Sequence, residues 1–425
     1  MNAISQSGNG PDAQSVQHTQ AAGVHNCYDA DDGFKHLQAH VATSAFDSVD
    51  KVDAPKCHPQ TRLAVLDEIM DWILLAVTRI QWMLWLNGAA GAGKSAIARS
   101  IVALCLSKNI PVARFFFFRT DPTRNSIQPV VATLVHQLVQ QLPDLLAIIV
   151  PKIQSDPLIF RKSLETQLGY LIFEPLRQLH RECPMKTNVV LLVDGVDECA
   201  GHENQKGLVR AIASFLSPRD IPVVAFFGSR AENHLGQIFR SQEVSTSLLQ
   251  LALDGHYLPD NDIRLFLTEK FAEIKATHPF SDYLDKDWPD PSHVGDIVTK
   301  SSGQFIYASV VIIFLSSPRQ HPAQQLEIIR GLRPAGKLTP FAQLDALYRH
   351  IFSQVENIGQ ASLILAYSIF GNTPHLVDLE PFFGIPFDTV HVILADLPSI
   401  VDYRSSKEAL YFLNASLPDF LLDSK

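Results

Sequence analysis

Eight residues, Gly88-Ala89-Ala90-Gly91-Ala92-Gly93-Lys94-Ser95, constrain this chain more than any other feature. They fit the pattern Gly-x-x-x-x-Gly-Lys-[Ser/Thr] without a gap. The apolar run Trp82 to Leu86 precedes them and a stretch with helical periodicity, Ser95 to Lys108, follows. A strand, a glycine-rich loop and a helix in that order aim backbone N–H groups and the positive end of a helix at one point, which suits a phosphate chain. Lys94 is expected to reach the β- and γ-phosphates and the Ser95 hydroxyl to ligate magnesium, with Gly88 through Ala96 forming the cradle. The segment reads as a P-loop.

A second motif supports the first. Val189-Val190-Leu191-Leu192-Val193 is an apolar strand that ends in Asp194-Gly195-Val196-Asp197-Glu198. An acidic residue at the carboxyl end of such a strand is placed to hold magnesium, so Asp194 joins Ser95 as a metal candidate. Asp197 and Glu198 are candidates for orienting an attacking water. A third strand, Pro222 to Gly228, delivers Ser229-Arg230 to the same sheet edge, where Arg230 is expected to sense the γ-phosphate or stabilise developing charge.

Strands alternate with helices at Ile127–Gln141 and Leu164–His180, and Phe115 to Phe118 reads as core. The predicted fold class is therefore α/β, a P-loop NTPase parallel sheet with helices on both faces. After Asp254 the pattern turns to helical blocks, Asp260–Phe271, Val294–Leu315, Gln325–Leu332 and Phe341–Val355. Short β-like pieces at Ile400–Tyr403 and Ala409–Leu413 suit a winged-helix-like unit. The expected division is a disordered or weakly helical tail over 1–54, the NTPase core over 55–253, a helical domain over 254–335 and a winged-helix-like domain over 336–425. Met1 to Gly23 is too poor in large apolar side chains to offset the entropy of ordering.

Composition removes several function classes. The net charge of −9 disfavours nucleic acid as a partner, because that affinity comes from clustered Lys and Arg. Five scattered cysteines without a C-x-x-C pair fit free thiols in a reducing, cytoplasmic setting. Sixteen histidines form no H-E-x-x-H pattern, so no metal is expected beyond the nucleotide's magnesium. The N-terminus lacks a basic region followed by an apolar run, and no stretch gives the ~20 apolar residues of a membrane span.

Several segments together resemble the NACHT nucleotide-binding proteins of the STAND class, in particular the fungal group with a nephrocystin-3-like amino-terminal region. They are Pro55–Arg62, Trp85–Ala98, Phe115–Arg119, Leu191–Glu198, Asp262–Leu267 and Leu413–Leu421. The resemblance implies a three-part switch that closes over ADP, opens and self-associates when ATP replaces it, and serves cell death, non-self recognition or innate immunity. It leaves ATP/ADP and GTP/GDP both open, and names no protein partner. Fungal relatives usually carry a histidine where this chain has Asn414, and a proline-containing motif where it has Gly303-Gln304-Phe305-Ile306-Tyr307-Ala308. Relatives usually continue into sensor repeats after the last unit. A shortened regulator and an incomplete chain are both carried as expectations, beside a non-hydrolysing interaction module that holds nucleotide as a structural cofactor.

Overall fold

Alternation along short apolar strands decides the architecture. The computed structural model describes residues 30–46, 56–75, 80–119, 121–253, 257–331, 341–353, 355–371, 375–397, 400–402, 410–412 and 416–422. Strands β1 (Met83–Asn87), β2 (Val112–Phe116), β3 (Val189–Asp194), β4 (Val223–Ser229) and β5 (Leu248–Ala252) form one sheet in the order β2-β3-β4-β1-β5. Every pairing in it is parallel. Successive side chains on a strand point to opposite faces. Accordingly Met83, Trp85, Phe115, Leu191, Val193, Ala225 and Phe227 enter one apolar core, while Leu84, Leu86, Phe116, Val190, Leu192, Val224 and Phe226 enter the other. Burying one such large side chain stabilises the fold by about 1.5–3 kcal/mol.

Helices cover both faces. In chain order they are α1 (Ala30–Gln38), α2 (Leu63–Leu74), α3 (Lys94–Ser107), α4 (Val130–Gln141), α5 (Asp144–Ser155), α6 (Leu164–Leu168), α7 (Glu174–Glu182), α8 (His202–Leu216), α9 (Asn233–Phe239) and α10 (Gln242–Ser245). Helices α2 and α3 close the second core, and α4 to α9 close the first. The helix expected over Leu164–His180 is present but carries a π-helical turn, Gly169–Phe173, between α6 and α7.

Residues ahead of Pro55 also pack on the sheet unit. Leu37 and Ala45 are fully buried in the first core. The Ala42 amide donates to Thr133 Oγ1 at 3.0 Å, and Arg124 Nη1 donates to the Ser44 carbonyl at 2.8 Å. Part of the presumed tail is thus a structural element of the sheet unit. Met1 to Gly23 lies outside the described residues.

The second half is helical, as expected: α11 (Pro259–Thr277), α12 (Pro291–Ser301), α13 (Phe305–Leu315), α14 (Pro322–Ile329), α15 (Ala342–Phe352), α16 (Ile358–Phe370), α17 (Leu379–Phe383), α18 (Phe387–Ile393) and α19 (Ser416–Leu422). Strands β6 (Val401–Asp402) and β7 (Tyr411–Phe412) pair antiparallel between the last two helices. One apolar core runs from Ile263 to Leu417, so the two units expected over 254–335 and 336–425 share a core. The single helix expected over Val294–Leu315 is broken. Ser302 and Gly303 take left-handed φ of 49° and 75°, which turns the chain before α13 restarts at Phe305. That break matters, because it sets Gln304 to Ile306 against the phosphate-binding loop.

Candidate functional site

The loop after β1 turns on Gly91 and Gly93, at φ 77° and 95°, conformations that L side chains rarely adopt. Gly91 has a second reason to lack a side chain. A Cβ there would fall 2.3 Å from Ile306 Cγ2, and the Ile306 amide donates to the Gly91 carbonyl at 3.3 Å. On the other side stands Arg62, itself left-handed at φ 60° and buried. Its Nη2 donates to the Ala92 carbonyl at 3.0 Å, its guanidinium lies 4.9 Å from the centre of the Phe305 ring, and its amide donates to Asp262 Oδ2 at 3.0 Å. The loop is therefore clasped between the segment before α2 and the start of α13, and Ala90 is counted within the helical core.

Lys94 folds back over the loop, donating from Nζ to the carbonyls of Gly88 at 2.8 Å and Ala89 at 2.9 Å. Burial pulls its pKa down to about 8, against the support of Asp197, Asp194 and Glu198 and with the opposition of Arg230. Asp194, at the end of β3, is only 3% exposed. Burial raises its pKa, while a hydrogen bond with Ser95 and the charge of Lys94 hold it down. Gly228 gives that carboxylate its space, since a Cβ at this position would lie 2.0 Å from Asp194 Oδ1.

Asp197 and Glu198 sit on a 3-10 turn, Val196–Glu198, that follows Gly195 at φ 71°. Arg230 pairs with Asp197 at 3.2 Å through Nε, and its amide donates to Asp197 Oδ1 at 3.0 Å. Arg119 secures the turn from the other flank, with Nη2 donating to the Asp197 carbonyl at 2.7 Å and its amide donating to Glu198 Oε2 at 3.1 Å. Burial, and then the neighbouring Asp197, push the Glu198 pKa up to about 7. All of the sequence-predicted groups meet at one sheet edge, but Asp197 and Arg230 face each other rather than standing as two separate groups. Arg62, Arg119 and Gly303–Ala308 have contacts here that the sequence alone does not assign. Gly303, a glycine just before the apolar run Phe305–Leu315, is the one signal of this clasp that the sequence carries.

The family model described as Nephrocystin 3, N-terminal, matches residues 66–230, which take in the loop, the acidic turn and Arg230. The fold is that of a P-loop NTPase. Over 378 residues the chain is 22% identical to the vegetative incompatibility protein HET-E-1 of Podospora anserina, covering 83% of this chain and 26% of that protein. The chain thus spans about a quarter of the length of that curated relative. Among solved structures, the Aeropyrum pernix ORC2 protein in its ADPNP–ADP complexes aligns at a TM-score of 0.46 and 12% identity, over 88% of this chain and 94% of that one. Drosophila ORC bound to DNA aligns at 0.37 and 12% identity, over 96% and 95%. Among the described residues, no helix is long and apolar enough to cross a membrane.

Proposed function

We propose that this chain is a nucleotide-operated signalling switch of the NACHT/STAND class, cytoplasmic, binding ATP and ADP with magnesium and self-associating through its NTPase unit. The observation that carries the reading is the clasp on the loop. Gln304 to Ile306, at the head of α13, touch the same residues that would surround phosphate, so a change in the ligand would reach α13 through this contact. A ligand shifts such an equilibrium only through contacts that differ between the two states, and the reading requires this contact to be one of them.

The residues present fit the ligand. The paired Ser95 hydroxyl and Asp194 carboxylate are the donor set a hard divalent cation requires. Burial is the first cause of the raised pKa values of Asp194 and Glu198, so both are carboxylates whose charged forms lack solvation, which a cation would supply. When bound, magnesium supplies charge neutralisation at the β- and γ-phosphates. Lys94 would exchange its carbonyl partners for phosphate oxygens, and the amides from Gly91 to Ser95 would ring them. Glu198, poised near neutrality, is the better candidate for holding the proton of an attacking water. Asp197 is engaged at both carboxylate oxygens by Arg230.

That engagement also favours a second reading, a non-hydrolysing module in which nucleotide is a structural cofactor. Turnover separates the two. Size-exclusion chromatography with light scattering, in ADP and in a non-hydrolysable ATP analogue, should show assembly only in the latter. Single-turnover hydrolysis should be slow and should fall at least tenfold in Glu198→Gln with ATP binding kept. Absence of hydrolysis in the unaltered protein would leave the module, and an oligomeric state indifferent to nucleotide would remove the switch. By likeness to the vegetative incompatibility relative, non-self recognition or cell death is the proposed output.

A further inference from the structure

Beside the acidic turn, three side chains from two elements converge: His202 at the start of α8, and Glu232 and His234 around the start of α9. One ligand atom from each lies within 4.8 Å of the others. The two imidazoles stack with ring centres 4.0 Å apart and planes 19° from parallel, and His234 Nδ1 stands 3.8 Å from Glu232 Oε2.

Hydrogen bonding fixes which nitrogen of His234 is available. Gln205 donates from Nε2 to the carbonyls of Cys199 at 2.7 Å and Asp197 at 3.2 Å. Its Oε1 is therefore an acceptor, and it lies 2.5 Å from His234 Nε2. With Gln205 Oε1 accepting, the proton sits on Nε2, and the unprotonated Nδ1 lies 3.8 Å from Glu232 Oε2. At 3.8 Å these two atoms are too far apart for a hydrogen bond. They make a bidding pair for a cation. A metal-bound histidine commonly donates its other ring N–H to an oxygen acceptor that orients it, and Gln205 fills that position.

We propose that His202, Glu232 and His234 form a binding site for a divalent transition ion of the zinc class, separate from the magnesium site of the nucleotide. Two imidazoles and one carboxylate are an established donor set for zinc, with a water completing a tetrahedron. Ligand bonds of about 2.0–2.1 Å place tetrahedral donors about 3.3 Å apart, so the His234–Glu232 pair needs to close by only about half an ångström. His202 is exposed and can swing the remaining distance. The sequence hides the site because His202 lies thirty residues upstream of the Glu-x-His pair, and only the adjacency of α8 and α9 joins them. Gln205 also holds the Asp197 carbonyl, so the site is braced against the acidic turn it adjoins.

The test is metal content and affinity of the full chain, stripped with chelator and titrated with zinc against a chromogenic competitor, and with cobalt for its visible bands. The unaltered protein should bind one equivalent of zinc and give the intense absorption of four-coordinate cobalt. His202→Ala alters an exposed residue and should leave the circular dichroism unchanged. It should lose that equivalent or weaken it at least tenfold, and Glu232→Gln should do the same. Equal zinc binding by the unaltered protein and His202→Ala would place the ion elsewhere, for instance on Cys57 or Cys183, and overturn the proposal. No stoichiometric binding by the unaltered protein would overturn it equally. Neither outcome depends on nucleotide turnover.

Discussion

Removing Arg230 gives a stability change whose sign and partner can be worked out from the geometry. Asp197 is 3% exposed, and its charge is met by Arg230 Nε at 3.2 Å. Breaking a buried pair by deleting one partner costs about 3–5 kcal/mol, because it strands the other charge. Here the amide of residue 230 still donates to Oδ1 after Arg230→Ala, and Lys94 lies near enough to share the charge. The expected cost is therefore nearer 2–3 kcal/mol. Adding Asp197→Asn removes the stranded charge while its amide oxygen goes on accepting the same backbone bond, so most of the loss should return. Urea unfolding followed by tryptophan fluorescence is the assay. Trp85 is a local reporter, its indole N–H donating to Ser229 Oγ at 2.8 Å beside Arg230. If Arg230→Ala costs the same with Asp197 as with Asn at that position, the pair is not coupled and the reasoning fails. A cost below about 0.5 kcal/mol would fail it too, since that is the worth of an exposed ion pair.

Gly228→Ala should disable nucleotide binding more than it lowers stability, because its Cβ would displace the Asp194 carboxylate from a position 2.0 Å away; isothermal titration with magnesium and nucleotide, beside a melting curve, checks both. Stability of the nucleotide-free protein should fall as pH rises from about 4.5 to about 7 through Glu198. Its folded pKa lies above its ordinary value, so the native state holds the extra proton in that window, and Glu198→Gln should lessen the slope in melting curves, leaving the share of Glu232, which burial also pushes up to about 7. Gly91→Ala should loosen α13 from the loop, read as faster backbone hydrogen exchange over 304–308, since the new Cβ cannot share space with Ile306.

How much of this was legible beforehand follows from how local each signal is. Strands β1, β3 and β4 are continuous apolar runs because both faces are covered, and the loop and acidic turn follow them directly in sequence. Strand β5 escaped notice since it is an edge strand with Gln250 exposed and Leu248 half-buried, a pattern too weak to separate from a loop. Helix α5 carries Pro151 in its interior, which reads as a break. Helix α1 is short and polar on one face, and what makes it structural is Leu37 entering a core built from residues over a hundred positions away. About two hundred positions separate Arg62 from Asp262, and Gly91 from Ile306. No spacing rule spans such a gap. Asn414, the departure from the histidine of fungal relatives, lies outside the described residues.

The account stands on nucleotide at the loop, and the most direct measurement is the nucleotide content of the purified full chain, by acid extraction and ion-pair chromatography, set against Lys94→Ala. Close to one equivalent of adenine nucleotide, mainly ADP, that is lost from the variant while its circular dichroism is kept, is the predicted result. No nucleotide in either protein, together with no binding of magnesium ATP or GTP by the unaltered chain in titration, would contradict it.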